Sequence, residues 1–394
     1  MIHIDDKHNC CGCSACQQIC PKQCISFERD YEGFLYPSVN REVCIECGLC
    51  ERVCPVLNQG DVIRPISTFA AKNCDEYIRI NSSSGGIFYA LAEKIIKEGG
   101  IVYGARFTEE LSVEHGVAHD FEDISEFRGS KYLQSMMNDT FKEIRSNLNK
   151  GIKVLFSGTP CQVVGLRNFL QKSYDNLTLI DFVCHGVPSP SVWQDYLHSF
   201  SDIYIDSAAF RDKGQGWHRF GLRLNGANRS DASGWHRFGI FSDDHYMQVF
   251  LSNLSLRPSC YSCPSKQGRA GSDITLGDFW GIEHIDPEID DDKGTSLVLI
   301  NTLKGEKFFK DLNIGSKEES YEEALKFNPS MEVSVDEPEK RAKFFHVFSH
   351  SGFNAAYKAT MIPSLPFRLK RKLKSLAGQI LGEKGKQIVR MLKK

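Results

Sequence analysis

Cysteine dominates the chemistry this sequence offers. Fifteen of its 394 residues are Cys, and ten of those precede residue 55. The start, MIHIDDKHNCC, lacks the apolar core of a signal peptide, so the chain reads as cytosolic, where the reducing pool keeps structural disulfides open. Such density then points to metal or redox chemistry, and spacing separates the metals. Cys10, Cys13, Cys16 and Cys20 stand at C-x2-C-x2-C-x3-C with Pro21 next, and Cys44, Cys47, Cys50, Cys54 and Pro55 repeat the pattern thirty-four residues later. Zinc knuckles are the alternative, but zinc takes its ligands as two pairs across a longer loop. Four thiols at this spacing, twice, suit iron-sulfur cubanes, with the proline turning the chain away after the fourth ligand.

The run resembles bacterial two-cluster ferredoxins, in which the fourth cysteine of each run crosses to the other cluster. On that resemblance Cys10, Cys13, Cys16 and Cys54 hold one [4Fe-4S] cluster, and Cys44, Cys47, Cys50 and Cys20 hold the other. Cys11 and Cys24 fall outside the pattern and read as small buried packing residues. The unit takes about sixty residues, so the rest of the chain should hold whatever the electrons are exchanged with.

The elements downstream must position that second chemistry. NSSSGGIFYALAEKIIKEGGIVYGARF, from Asn81, reads as loop, helix, turn and strand, with Ile87, Leu91 and Ile95 at helical spacing and Gly99-Gly100 as the stop. The free N–H groups of a Ser/Gly loop opening a helix suit a phosphate or pyrophosphate, or serve as a plain cap. KVLFSGTPCQVVGLRNFL and LTLIDFVCHGVPSPSVWQDYL repeat strand, turn and helix, putting Cys161 and Cys184 at strand ends. That alternation predicts a mixed, largely parallel sheet covered by helices, with ligands at the strand C-termini. GWHRFG occurs at 216–221 and 234–239, and Asn225-Gly226 between the copies reads as the turn of a hairpin that needs no function.

Composition narrows the classes. With 41% hydrophobic, 25% charged and 11% aromatic residues the chain should fold, as two or three units. A net charge of −2 is not the balance of a nucleic-acid binder, and no apolar run reaches the eighteen residues of a membrane span. Near-neutrality conceals an asymmetry: residues 367–394 hold ten Lys or Arg against Glu383, a net +9 that leaves −11 on the rest. Pro363 and Pro366 mark a linker, and Leu369, Leu373, Leu376, Ile380 and Leu381 recur at helical spacing beyond it. Such a basic amphipathic helix reads as a membrane-surface anchor, a dock for an acidic partner, or a solvated helix on the acidic body.

SSSGGIFYAL, VYGARF, RGSKYLQS, FSGTPCQVVGL, DFVCHGVPSP, LRPSCYSCP, SDITLGDFWGI and DDDKGTSLVLINT, from about residue 65 to 345, together resemble the family of coenzyme F420 hydrogenase/dehydrogenase beta subunits. With the ferredoxin run, the chain resembles the bacterial members, often encoded among polysaccharide-biosynthesis genes. The resemblance implies a flavoprotein with FAD and iron-sulfur clusters, whose relatives reduce or oxidise a deazaflavin, a chlorophyll-type pigment or another soluble acceptor. Fold and cofactors transfer better than substrate does. It makes candidate flavin contacts of Ser83, Ser84, Gly85, Gly86, Lys131, Gln134, Ser135 and Thr159, the loop offering N–H groups and Lys131 a cation. With the ferredoxin ligands set aside, and Cys11, Cys24 and Cys74 outside any motif, Cys161, Cys184, Cys260 and Cys263 remain. Four is the number a third [4Fe-4S] cluster needs; the alternative is two buried apolar cysteines beside a zinc- or solvent-facing pair. Asp278 is a substitute ligand, and His185 a proton donor or a hydrogen-bonding loop residue.

The expected fold is α+β and α/β: a 2[4Fe-4S] ferredoxin-like domain at 1–60, a largely parallel α/β flavin-binding body at 61–150 and 151–345, and a linker with a basic helical tail at 346–394. The expected function is an FAD-dependent iron-sulfur oxidoreductase, linking a low-potential donor of ferredoxin or F420 type to a substrate the sequence does not name. Its partners are then a redox protein or a soluble deazaflavin-type coenzyme, in the cytoplasm, with the tail allowing a peripheral place at the membrane's inner face. An electron-transfer subunit without its own substrate site, and a non-catalytic scaffold of a membrane-associated polysaccharide assembly, are the alternatives.

Overall fold

A computed structural model describes residues 1–362. The first unit is a hairpin, β1 (Ile25–Arg29) with antiparallel β2 (Leu35–Val39), flanked by two short helices, Ala15–Ile19 and Leu49–Arg52, that carry Cys16 and Cys50. Ile2, Cys24, Ile25 and Cys50 form its small interior.

The body is built on β3 (Ser67–Asn73), β4 (Ile101–Phe107), β5 (Val113–Ala118), β6 (Val154–Ser157), β7 (Leu177–Phe182), β8 (Ile203–Asp212), β9 (Gly221–Asn228), β10 (Gly234–Ile240), β11 (Ile274–Asp278), β12 (Ser296–Ile300) and β13 (Ile314–Glu318). Eight of these make one sheet in the order β13-β3-β12-β11-β7-β6-β4-β5, drawing strands from both sides of residue 150. The sheet is mixed, as expected, but not largely parallel. Only β4, β6, β7 and β11 run parallel to their neighbours in that group; β5, β12, β3 and β13 join antiparallel. Connection length is the reason: residues 108–112 between β4 and β5 are too few for a crossover, and the link from β11 to β12 holds just one turn of helix, Ile282–Ile285. The central strands VLFS and SLVLI are buried along their whole length, as strands covered on both faces must be.

Helix Ile87–Lys97 begins after Gly86 in the left-handed region (φ 81°) and buries Ile87, Leu91 and Ile95, the stripe read from the sequence. Helix Pro160–Leu170 opens on a reciprocal cap between Thr159 and Gln162, with Pro160 at its first position.

β8, β9 and β10 form a separate antiparallel sheet. The second GWHRFG copy makes most of β10, while the first only leads into β9. Asn225 and Gly226 are not the turn: they sit inside β9, opposite His236 and Trp235. A Cβ on Gly226 would meet the Tyr204 carbonyl oxygen at 2.1 Å, so glycine serves strand packing there. The loop falls at 229–233, closed by the Asn228 N–H donating to the Ser233 carbonyl at 2.9 Å.

Helix Arg341–Met361 runs through the expected boundary at 345/346 and buries Phe344, Phe345 and Phe353 against Trp193, Tyr196 and Tyr246. The basic segment 367–394 lies outside the described residues. Among those described, no helix is long and apolar enough to cross a membrane.

Candidate functional site

Each ferredoxin run folds as a loop entering a short helix. Gly12 and Ser14 in the first, Glu46 and Gly48 in the second, take positive φ at equivalent positions, two and four residues after Cys10 and Cys44. Alternating hand turns successive N–H groups inward, the geometry of an anion-binding nest. A small cavity is lined by Cys44, Cys47 and Cys50 of the second run together with Cys20 of the first. The Cys54 thiol is raised by burial, then by the charges of Cys10 and Cys50, and the Cys16 thiol feels Cys10, Cys54 and Cys50 in the same way. Cys20 thus lies beside the second run, and Cys54 near cysteines of both.

Cys11 and Cys24 are buried in apolar clusters, as read from the sequence, and each also adjoins other thiols. The Cys24 sulfur is 3.4 Å from that of Cys20 and lines the same cavity, its thiol pushed up to about 11 by burial and by Cys20. The Cys11 thiol contacts Cys13 on one side and Cys161 on the other. Spacing could not show this, since both follow from how the loops pack.

The four later cysteines lie near enough to feel one another's charge. Cys161 opens the helix after β6, Cys184 follows β7, Cys260 lies in the 3-10 helix Pro258–Ser262, and Cys263 caps it. Burial raises the Cys260 thiol, and the charges of Cys184, Cys263 and Cys161 raise it further. Burial pushes Cys184 up to about 12 and Cys263 to about 11, each with a contribution from Cys161. The Val187 N–H donates to the Cys260 sulfur at 3.4 Å, and Thr159 Oγ1 is 3.2 Å from that of Cys161. Among the described residues no three Cys, His, Asp or Glu side chains close on a single metal ion. A tetrahedral zinc with bonds of about 2.3 Å would need sulfurs within roughly 4 Å of one another, whereas a cubane spreads its ligands wider.

Asp278 is not a substitute ligand: its carboxylate pairs with Arg211. That pair belongs to a buried cluster at the strand ends. Arg211 lies over the rings of Phe220, Trp217 and Trp280, at 4.0, 5.0 and 5.1 Å from their centroids, and its Nε donates to Tyr132 Oη at 2.5 Å. Lys213 Nζ donates to the carbonyls of Arg79, Ser84 and Lys293 at 2.6, 2.8 and 2.9 Å, fixing the Ser/Gly loop. Ser83 and Ser130 hydroxyls meet at 2.8 Å, joining that loop to Lys131, whose Nζ donates to the Arg128 and Gly129 carbonyls. Burial brings the pKa of both ammonium groups down to about 7. Ser84 Oγ donates to the Thr295 carbonyl and the Gly85 N–H to Ser296 Oγ, so the loop's own groups are largely spent on the sheet edge. A Cβ on Gly85 would meet the Ala71 carbonyl oxygen at 2.3 Å, which makes that glycine obligatory. Among the described residues, the buried guanidinium nitrogens without partners are Nη1 of Arg211 and Nη1 of Arg128. Arg128 opens the RGSKYLQS segment singled out from sequence; Arg211 was not a candidate, although Arg211 and Lys213 at i and i+2 signal two cations on one strand face.

The sequence candidates therefore separate. Ser83, Ser84, Gly85, Gly86 and Lys131 border that cluster. Gln134, Ser135 and Thr159 do not. Gln134 Nε2 donates to the Cys11 carbonyl at 3.1 Å. Ser135 Oγ sits 3.0 Å from His115 Nδ1 and accepts from Gln162 Nε2, and Thr159 caps its helix. These three lie along the seam between the ferredoxin unit and the body, where Gln134 and Ser135 line a groove of about 610 Å³ with Gly12, Ser14 and Arg29. His185 Nε2 is 2.7 Å from Asn253 Oδ1, and burial lowers its pKa, which fits a hydrogen-bonding loop residue.

Paired ferredoxin loops stand on an α/β body whose strand ends carry a basic cluster. Residues 9–58 match the 4Fe-4S dicluster domain, residues 68–142 the N-terminal part and residues 151–323 the C-terminal part of the coenzyme F420 hydrogenase/dehydrogenase beta subunit. The chain belongs to that family of beta subunits, and its dicluster domain is of the kind that holds two [4Fe-4S] clusters. It is 23% identical over 183 residues to one of the subunits of the F420H2 dehydrogenase of Methanosarcina mazei, a match covering 43% of this chain and 51% of that one. This chain thus spans about half the length of that relative. An uncharacterised protein of Methanocaldococcus jannaschii is 23% identical over 346 residues, 77% of this chain and 87% of its own. A chain of the F420-reducing [NiFe] hydrogenase complex from Methanosarcina barkeri superposes with a TM-score of 0.43 at 16% identity, over 76% of this chain and 92% of that one.

Proposed function

We propose that the chain is an iron-sulfur flavoprotein that moves electrons, in either direction, between a deazaflavin-type hydride carrier and a one-electron redox protein. One observation carries the reading. β7 and β11 are parallel neighbours with Phe182 opposite Leu276, so Cys184 and Asp278, each two residues further on, come to the same sheet edge. A third thiol set that includes Cys184 would then adjoin the basic cluster around Asp278. Cys161, Cys184, Cys260 and Cys263 would hold a third [4Fe-4S] cluster. Ser83, Arg128, Ser130, Lys131, Arg211 and Lys213 would hold FAD. The unpartnered Nη1 groups of Arg128 and Arg211 support an anionic ligand, since a buried guanidinium N–H is costly to leave unmade. A flavin supplies the exchange between electron pairs and single electrons.

The residues divide that work. Arg128, Lys131 and Arg211 supply positive charge, and Asp278 holds Arg211 in place. Lys213 fixes the loop on which Ser83 is mounted. Trp217 and Trp280, stacked with centroids 5.3 Å apart, and Tyr132 would flank the flavin with apolar surface that excludes water.

Anaerobic purification with iron, sulfide and flavin quantified tests the reading. Twelve irons and one non-covalent FAD per chain are expected; full iron with no flavin uptake, or zinc in place of iron, would overturn it. A subunit without its own substrate site is the second reading, favoured because the Methanosarcina mazei relative is itself named as a subunit. Turnover of a soluble deazaflavin by the isolated chain separates the two.

A further inference from the structure

Three arginines are buried among the described residues: Arg79, Arg257 and Arg341. Arg79 pairs with Asp291 and Arg341 with Glu32. Arg257, at 0% exposure the deepest of them, has no carboxylate among its described partners. Its Nε donates to the Cys10 carbonyl at 2.7 Å, Nη1 to Gln134 Oε1 at 2.9 Å, and Nη2 to the Leu35 carbonyl at 2.9 Å and the Cys10 sulfur at 3.4 Å. The Tyr36 ring lies 4.3 Å from its guanidinium. An isolated buried cation is among the costliest groups a fold can contain, and guanidinium does not shed its proton to escape that cost. The anion must come from the site.

Two thiol sets stand on either side. The Arg257 side chain crosses into the ferredoxin unit to reach Cys10. Its backbone belongs to the other set, where its carbonyl accepts the Cys260 N–H at 2.9 Å. We propose that Arg257 is the shared counter-charge of two clusters, the one held by Cys10 and the one held by Cys260, and that it raises the reduction potential of both. This rests on the ligand sets proposed above. Reduction adds a negative charge to a cluster, so a fixed cation and an N–H on its sulfur both favour the reduced state. By lying between the two, Arg257 also offsets the repulsion that reducing one exerts on the other. The cluster of Cys20, Cys44, Cys47 and Cys50 receives no bond from it.

The test is a redox titration, followed by electron paramagnetic resonance, of the anaerobic full-length holoprotein after iron quantification. Signals are assigned with Cys260→Ser, which should lack the third cluster. In Arg257→Gln the reduction equilibria of two clusters should fall at least tenfold, 59 mV for a one-electron couple, with the remaining ferredoxin cluster unmoved. Arg257→Lys keeps the charge and should shift by less than half of that. Fully loaded Arg257→Gln with every potential as in the parent overturns the proposal. If the glutamine variant does not load, the lysine variant decides: near-parental potentials support the proposal, and either a tenfold fall or failure to load overturns it, because charge then does not suffice. A parent chain with eight irons would instead refute the third cluster, leaving the Cys10 half of the proposal to stand or fall on its own potential.

Discussion

Replacing Arg341 by Met should unpin the ferredoxin unit from the body. Arg341 starts the long C-terminal helix and meets Glu32, in the turn between β1 and β2, through two N–H donors at 2.9 and 2.5 Å. Both side chains are sealed, Glu32 at 3% exposure and Arg341 at 5%. Removing the cation strands a buried carboxylate, at a cost of about 3–5 kcal/mol. The same guanidinium donates to the Leu256 carbonyl at 2.9 Å and to Tyr261 Oη at 3.1 Å, and losing these adds on the order of 1 kcal/mol each. Glu32→Gln in the same chain removes the stranded charge, so the double variant should regain most of the first loss. Denaturant unfolding of the anaerobic holoprotein, followed by far-ultraviolet dichroism and by cluster absorbance together, measures both. Cluster absorbance should be lost at lower denaturant than the helical signal in Arg341→Met. A single variant within about 1 kcal/mol of the parent, the worth of an exposed pair, would refute the reasoning, as would a double variant no more stable than the single one.

Serine at Cys260 should remove about four irons per chain, the content of one cubane, and leave the ferredoxin signals intact; unchanged iron would show that the four later thiols hold no cluster. Cys54→Ser should damage the cluster of Cys10, Cys13 and Cys16 and spare the one nearer in sequence, read by electron paramagnetic resonance; selective loss of the other set would refute the crossing. Arg211→Ala should lower bound flavin at least tenfold with iron unchanged, checked by flavin fluorescence after denaturation. Lys131 and Lys213 are charged below pH 7 and lose their protons as pH rises through it, so flavin affinity should fall across that interval. The sign for stability is opposite: between about 7 and the ordinary 10.5 the unfolded chain holds protons the folded one has released, so flavin-free protein should grow more stable as pH rises, less steeply in Lys131→Met. A flat profile in the parent would contradict the burial of both groups.

The two C-x2-C-x2-C-x3-C-P runs were legible because they are local: spacing brings three thiols to one loop, while the exchange of the fourth is what the resemblance to two-cluster ferredoxins implies. The third set proposed for Cys161, Cys184, Cys260 and Cys263 was read less directly, from strand-end placement and from what was left over. Arg211, Lys213 and Arg257 were not legible. Their partners lie 67 residues away for Asp278, 129 for the Ser84 carbonyl and 247 for Cys10, and nothing local in FRDKG or SLRPSC records such distances. Asn225-Gly226 misled for a related reason: a dipeptide that favours a turn when free is held extended by Trp235 and His236 across the strand pair.

The segment 256–263 explains why docking and electron transfer are hard to separate in this chain. The Leu256 carbonyl accepts from Arg341, which holds Glu32 of the ferredoxin unit. The next residue, Arg257, binds Cys10. Cys260 and Cys263 join the third thiol set, and Cys161 of that set touches Cys11, next to Cys10. Eight consecutive residues thus fix how the ferredoxin unit sits and how near its first thiol set lies to the third. A ferredoxin unit transplanted from a relative would need an acidic residue where Glu32 stands and an open carbonyl where Cys10 stands before its clusters could occupy the same positions. Loosening the seam should therefore slow electron passage even where every thiol is retained.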